Sequence, residues 1–478
     1  MVLKRLYDEG LAQASFLVGC EKAGEAIVID PNRDVEQYLR LAEDEGLRIV
    51  GVTETHIHAD FVSGSRELAK RTEARLYLSD EGDEDWKYGY AAEPNVTLVR
   101  EGGDIRAGAV RLDVLKTPGH TPEHIAFLLT DEAASASPMA AFTGDFIFIG
   151  DVGRPDLLER AAGFEGTMEA GARTLYRSLA KFKTLSDSLM LWPSHGAGSA
   201  CGKNLSSLPV SSLGYEKSTN WALRCETEEA FAAEVLAGQP EPPSYFKEMK
   251  RLNKMGPPIL GGFRTPERLK PSRLAELLAG SQTVIDARAV DEVASGFVLG
   301  TLAISLKESF TTWAGWLAPY DQPSYLIAQD EAEAGLAAKR MALIGLDDVE
   351  GWFAPDAIEE ARKEGLVETI EQVNASDAYG RFAKREAEIL DVRGAGEFTE
   401  GHIPGASHIP LGYLAGRRAE VPSGKPVILH CRGGSRSVTA YTLLRKLGHP
   451  ALVNMTDGFW EYELLGLPIE TGHVRARA

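Results

Sequence analysis

The segment Thr55-His56-Ile57-His58-Ala59-Asp60 packs two imidazoles and a carboxylate into one short stretch. Three further ligand-type groups follow: His120 in Pro118-Gly119-His120-Thr121, Asp145 in Thr143-Gly144-Asp145, and His195 in Pro193-Ser194-His195-Gly196. Neutral imidazoles and carboxylates are hard-to-borderline donors, suited to iron, zinc or manganese. A second reactive cluster is Cys431-Arg432-Gly433-Gly434-Ser435-Arg436-Ser437. A cysteine between a strand and a helix start is ringed by backbone N–H groups, and two arginines add positive charge, so a thiolate is stabilised and an anion can bind. Four residues separate Cys431 from Arg436, fewer than in the Cys-x5-Arg loops that cradle phosphate. The shorter loop suits a smaller group such as sulfane sulfur.

Those groups need elements to carry them. Residues 49–55 and the runs before Asp145 and His195 are short and apolar. They read as buried strands delivering polar residues at their C-terminal ends, where α/β proteins place chemistry. A helix is expected to start within residues 62–68, and another to run from Val438 to Leu447 and end at Gly448. Two Pro-rich breaks, Gly238-Gln239-Pro240-Glu241-Pro242-Pro243 and Gly256-Pro257-Pro258, close a first domain over residues 1–258.

Beyond the breaks the chain repeats itself. Asp286, Arg288, Glu292, Gly296, Gly300 and Leu306 recur 105 residues later as Asp391, Arg393, Glu397, Gly401, Gly405 and Leu411, and Pro323 recurs 103 residues later as Pro426. Two tandem copies of one α/β domain, over 266–364 and 370–478, account for the match. At the second offset Cys431 maps onto Ala328, and its loop onto Ala328-Gln329-Asp330-Glu331-Ala332-Glu333. Acids repel a thiolate or a sulfur oxyanion, so the middle copy is expected to be inactive and to serve as a spacer or as a contact surface in a homo-oligomer.

The formal charge of −19 over 478 residues argues against nucleic acid or an anionic membrane as partner. There is no apolar run long enough for a membrane span and no signal-peptide pattern at the start, so a cytoplasmic location is expected. None of the four cysteines, Cys20, Cys201, Cys225 and Cys431, lies in a CxxC pair, which favours free thiols. Cys201, close behind His195, either lines the mouth of the metal site with Lys203 lowering its pKa, or is a buried inert thiol. Cys20 and Cys225 read as structural. Arg154 offers a planar guanidinium to an anionic substrate group, or else forms an ion pair.

The series THxHxD, PGHT, TGD and PSHG resembles the metallo-β-lactamase superfamily over roughly the first 250 residues. Glyoxalase II-like hydrolases of that superfamily carry THxHxDH and two metals. Phe61 stands where the last histidine is expected and cannot ligate, so the second site loses a donor. The pattern resembles the persulfide dioxygenase branch instead. That resemblance implies one Fe(2+) per chain on His56, His120 and Asp145, with His58, Asp60 and His195 orienting ligands, water or substrate beside it. The Cys431 loop, with Asp391-Val392-Arg393, Gly401-His402-Ile403-Pro404-Gly405 and Asp457-Gly458, resembles rhodanese.

Together these resemblances imply an α/β chain: a metallo-β-lactamase αββα sandwich followed by two tandem rhodanese-like domains. They imply O2-dependent oxidation of a low-molecular-weight thiol persulfide to sulfite and thiol. Cys431, with Arg432 and Arg436, would then pass sulfane sulfur to sulfite, giving thiosulfate. The rival enzyme is a zinc-dependent thioester hydrolase with a sulfurtransferase tail. The non-enzymatic rival is a sulfur carrier or sensor.

Overall fold

The computed structural model describes residues 1–160, 166–307 and 309–472. Two compact units emerge, Met1–Phe263 with Ala342–Gly345, and Arg264–Met341 with Leu346 onward. Among the described residues no helix is long and apolar enough to cross a membrane.

The first unit stacks two six-stranded sheets. One holds, in order, Val2–Asp8, Gln13–Cys20, Glu25–Ile29, Arg48–Thr53, Arg75–Ser79 and Val96–Val99. The other holds Ser211–Ser212, Met190–Pro193, Ala140–Gly144, Ile125–Asp131, Val110–Lys116 and Asp104–Ala107. Alternation places Val110, Leu112 and Val114 of one strand inward, where they meet Phe16, Ile27, Ile29, Phe127 and Phe142 between the sheets. Helices Val35–Asp44 and Ser65–Thr72 cover the outer face of the first sheet through Tyr38 and Leu68. Helices Thr167–Phe182 and Glu228–Leu236 cover the second through Leu175, Leu179 and Phe231. The layers are therefore α, β, β, α. The ends of Glu25–Ile29, Arg48–Thr53, Ala140–Gly144 and Met190–Pro193 deliver the polar loops.

The second unit contains two five-stranded parallel sheets of one topology. The first runs Glu267–Arg268, Val349–Phe353, Ser324–Ile327, Thr283–Asp286, Leu302–Ala303, and the second Gln372–Val373, Leu452–Met455, Val427–His430, Glu388–Asp391, Ser407–His408. Helix Ser435–Lys446 is buried from Ser437 through Leu444. Its second face packs on the preceding copy: Ala303 N donates to Thr442 Oγ1 at 3.0 Å, and the rings of Phe297 and Tyr441 meet edge-on at 6.1 Å.

Each copy buries the same ion pair, Asp286–Arg288 and Asp391–Arg393, both at 2.6 Å, and each arginine also donates to a carbonyl, Gly296 or Gly401. Burial alone would raise the Asp391 carboxyl, but His430 and Arg393 outweigh it and hold it below its ordinary value. Removing one partner of a buried pair costs about 3–5 kcal/mol because the other charge is left uncompensated. Asp391→Ala is expected to lose about that much in urea unfolding. The pair's contribution is complete above the ordinary Asp value of about 4. It drains away as pH falls through the lower folded value, so the gap between parent and variant is expected to narrow in acid.

Candidate functional site

The metal-type residues converge. His56, His120 and Asp145 present ligand atoms within 4.8 Å of one another, all buried, and Asp60, His195 and Cys201 form a second such group. Backbone and hydroxyl oxygens set the imidazole orientations. His56 Nδ1 lies 3.0 Å from Thr55 Oγ1, whose hydroxyl donates to Asp30 Oδ2. His120 Nδ1 faces Arg154 O at 3.1 Å, and His195 Nδ1 faces Ala12 O at 2.9 Å. An N–H at each Nδ1 satisfies those oxygens and leaves each Nε2 lone pair for a metal. Those Nε2 atoms surround one carboxylate: Asp145 Oδ2 is 3.9 Å from His56 and 3.6 Å from His120, and Oδ1 is 3.3 Å from His195.

The electrostatics fit a cation. Burial holds His56 well below its ordinary pKa, and the neighbouring imidazoles push the same way. Burial also lowers His120, so both rings are neutral and can ligate. Among the described residues, neither the Asp60 oxygens, the Asp145 oxygens nor His195 Nε2 has a hydrogen-bond partner. Burial alone would lower His195, but Asp145 and Asp60 outweigh it and push its pKa up. The two carboxylates thus require positive charge at this spot, which a proton or a metal ion supplies.

His58 stands apart. Its Nε2 bonds Asp30 Oδ1 at 3.1 Å, and although burial opposes it, Asp30 carries the ring's pKa up to about 9. With Nε2 held by Asp30, His58 anchors the loop. Phe61 is buried against it, ring centroids 4.4 Å apart. Asn253, from helix Phe246–Met255, ties the loop further by donating to His58 O and Phe61 O, both at 2.8 Å, and accepting from Ser63 N.

Sequence reasoning missed Asp30, which also accepts from Thr55 N at 2.7 Å and Ser194 Oγ at 3.0 Å. Its signal was a lone acid ending an apolar strand before Pro31. His124 was missed too. It stacks on His56 at 4.9 Å, and its Nε2 accepts from Asp145 N at 3.1 Å, which removes it from ligation and fixes Asp145.

Two expectations about the rim need correcting. Arg154 is fully buried, and its guanidinium is taken by Asp156 at 2.8 Å and by the carbonyls of Ala200 and Pro240. It therefore pins loops together and presents no free cation to a substrate. Lys203 Nζ bonds the carbonyls of Glu234 and Ala237, and burial, with Asp145 and Asp60 adding to it, pushes the Cys201 thiol well up. The expected lowering of that thiol by Lys203 is reversed. Cys201 does line the site, beside Asp60 and His195.

In the last domain Cys431 is buried, and its Sγ accepts from Gly434 N at 3.1 Å. Gly434 has φ 93°, and a Cβ there would fall 2.1 Å from Thr456 O, so only glycine fits. The following helix begins at Ser435, three residues before its expected start at Val438, because polar Ser435-Arg436-Ser437 masks the apolar period. The arginines are not free charges as expected. Arg432 pairs with Glu463, and Arg436 forms a two-pronged pair with Glu397 at 2.6 and 2.8 Å. In the middle copy Ala328 is buried, Glu333 N donates to Asp330 Oδ1 at 2.9 Å, and Gln329 N donates to Glu333 Oε2 at 3.2 Å. Its own carboxylates thus occupy two of the loop's amides and add negative charge where an anion would sit.

Family models match twice: Metallo-beta-lactamase superfamily over residues 8–195 and Rhodanese-like domain over 374–464. A metallo-β-lactamase from Staphylococcus aureus subsp. aureus COL is 40% identical with TM-score 0.67, covering 74% of this chain and 99% of its own. The chain belongs to the metallo-β-lactamase superfamily and carries a C-terminal rhodanese-like domain. Mitochondrial persulfide dioxygenase of Bos taurus is 27% identical over 234 residues, 48% of this chain and 78% of the relative. A hydroxyacylglutathione hydrolase of Rhodopseudomonas palustris (strain BisB18) is 30% identical over 243 residues, 50% of this chain and 80% of the relative. The site geometry leads to one expectation: His56→Ala, His120→Ala and Asp145→Ala each lose bound metal by elemental analysis, since two protein ligands hold a cation weakly.

Proposed function

We propose that the first unit oxidises a low-molecular-weight thiol persulfide with O2, and that Cys431 passes sulfane sulfur from a second persulfide to the sulfite formed. The observation carrying the first half is the buried cluster of His56, His120 and Asp145, with persulfide dioxygenase among the relatives. Two imidazoles and one carboxylate are the donor set of non-haem iron. Ferrous iron held there would supply the electron chemistry that lets O2 react with persulfide sulfur. The overall change is RSSH + O2 + H2O → RSH + sulfite + 2 H+.

The chain's own residues have separate tasks. Arg154 O and the Thr55 hydroxyl hold His120 and His56 with Nε2 facing inward. His195 and Asp60 can hold or release a proton beside the reacting sulfur. In the last domain the Cys431 thiolate attacks the outer sulfur of RSSH, the S–S bond breaks, and RSH leaves with the proton. Gly434 N then steadies the Cys431 persulfide anion. Sulfite attacks the outer sulfur, forming thiosulfate and restoring the thiolate.

One observation favours a second reading, a zinc thioester hydrolase. Cys201 stands with Asp60 and His195 as a possible second donor group, and hydroxyacylglutathione hydrolases are also relatives. Phe61 opposes it by occupying the position of a histidine donor. One iron per chain with O2 uptake on glutathione persulfide supports the dioxygenase. Two zinc ions with thioester cleavage overturns it.

Cys431→Ser is expected to leave O2 consumption nearly intact while the product shifts from thiosulfate towards sulfite, as quantified by ion chromatography. His120→Ala is expected to stop O2 uptake yet spare thiosulfate formation from added sulfite and persulfide. The middle copy is proposed to be inactive. Ala328→Cys combined with Cys431→Ala is expected to show no thiosulfate:cyanide sulfurtransfer, because Asp330 and Glu333 already occupy the loop amides.

A further inference from the structure

Every arginine around Cys431 carries its own carboxylate. Arg393 pairs with Asp391, Arg432 with Glu463 and Arg436 with Glu397. Other titratable groups on the packed elements are His430, which faces Asp391 at 3.5 Å, Asp457, next to Gly458, and, from the preceding copy, Arg288 and Lys307, which line one cavity with Arg436, and Asp291 and Glu292 on helix Val290–Ser295. With Arg288 paired to Asp286, side-chain charge at the loop sums to near zero or below, and the groups that touch the sulfur are the Gly434 N–H at 3.1 Å and the Ser437 hydroxyl at 3.8 Å.

Glu397 differs from the other two carboxylates. It is the third residue of helix Ala395–Glu400, and the same side chain accepts from Gly394 N at 3.0 Å while both its oxygens grip Arg436. The helix start thus locks the carboxylate, and the carboxylate locks the guanidinium. By contrast, Arg432 and Glu463 are both substantially exposed, 49% and 38%, so that pair can open. The degenerate copy keeps the device and changes its object. Glu292, 105 residues earlier, accepts from Ala289 N at 3.2 Å and holds Gln329, beside the vacant cysteine position Ala328.

We infer that Glu397 is a positioning residue of the Cys431 site: it fixes Arg436 at the loop rim as a two-pronged hydrogen-bonding post and cancels its charge, so that Arg436 orients an incoming sulfur anion without drawing it by charge. Arg432 is left as the arginine able to swing onto the anion. The inference rests on the reading of Cys431 as the sulfur carrier. Cancelling the charge keeps the persulfide from being held too tightly, since a cation beside sulfur stabilises the charged form.

The test uses the full chain. Alkylation of Cys431 by iodoacetamide is followed across pH on the Cys431 peptide by mass spectrometry, beside thiosulfate:cyanide steady-state kinetics. Glu397→Gln keeps the volume and an oxygen for Gly394 N but leaves Arg436 charged and uncompensated. It is expected to move the alkylation midpoint down, with alkylation at pH 7 roughly threefold faster or more. It is also expected to lower kcat about tenfold without raising KM for thiosulfate. Glu397→Asp keeps the charge but shortens the reach. It is expected to lower kcat with the midpoint unmoved.

A midpoint that stays put or rises in Glu397→Gln overturns the charge-cancelling role. Unchanged kcat in both variants overturns the positioning role. Should Glu397→Gln fold poorly by thermal melt, the Glu397→Asp kinetics and an Arg436→Lys variant decide. Arg436→Lys keeps the charge and loses the fork, so unchanged kcat there also overturns the proposal. If the parent shows no sulfurtransfer, the Cys431 reading fails. The alkylation profile still reports Glu397 independently.

Discussion

The candidate metal site of the first unit depends on a single buried carboxylate that is not itself a candidate ligand. Asp30 accepts from Thr55 N, Thr55 Oγ1, His58 Nε2 and Ser194 Oγ. Those four donors come from the loop after Arg48–Thr53 and the loop after Met190–Pro193, one from each sheet. Asp30 therefore clamps the ends of both sheets at the point where His56 and His195 leave them. Its charge is matched by His58, raised to about 9, so the clamp is an ion pair as well as a hydrogen-bond node. Ligand geometry is inherited from this clamp: through Thr55 it sets the His56 ring, and through Ser194 it places the residue preceding His195.

The same reasoning, that buried charge must find a partner, separates the two copies in the second unit. Both retain the Asp–Arg pair at the end of the strand beside the central one, Thr283–Asp286 or Glu388–Asp391, and the glutamate that caps the next helix. What differs is the loop after the central strand, Ser324–Ile327 or Val427–His430. In the last copy its amide points at a sulfur atom, and its acids come from other elements. In the middle copy the acids lie within the loop and bond its own amides. A helix N-terminus attracts an anion in either case, supplied from within in one copy and left available in the other.

Much of this was legible from the residues. His56, His120 and Asp145 could be read as one constellation because each sits in a loop just past a strand, and strand ends in an α/β layer fold meet. The tandem copies were legible because one offset, 105, holds from Asp286 to Leu306 and shifts by only two residues, to 103, at Pro323. What stayed hidden was pairing. Nothing in sequence told that Arg154 would spend its guanidinium on Asp156 and two carbonyls, that Lys203 would reach away from Cys201, or that Glu397 and Glu463 would meet Arg436 and Arg432. Ion pairs form between side chains with many rotamers, two residues apart for Arg154 and Asp156 or more than thirty for Arg432 and Arg436, and spacing carries no trace of them. His124 was hidden for another reason. It lies in the same motif as His120, and only the direction of its Nε2, towards Asp145 N, separates a supporting ring from a ligand.

Charge also bears on how an anionic sulfur compound is recognised at all. The chain carries −19 overall, so long-range attraction works against such a substrate. At the Cys431 loop the local arginines do not reverse this, because each is matched by a carboxylate. Recognition must then be short-range, through backbone N–H groups and an arginine fork, both of which act only at contact distance. Short-range recognition favours small anions that fit between the amide of Gly434 and the rim, and discriminates against bulky ones by shape. It also makes salt a weak competitor, since screening acts chiefly on the long-range field that the loop does not use. The neutral rim and the Gly434 amide are thus two parts of one solution for the anion proposed at this loop: in an acidic protein it would be accepted by geometry.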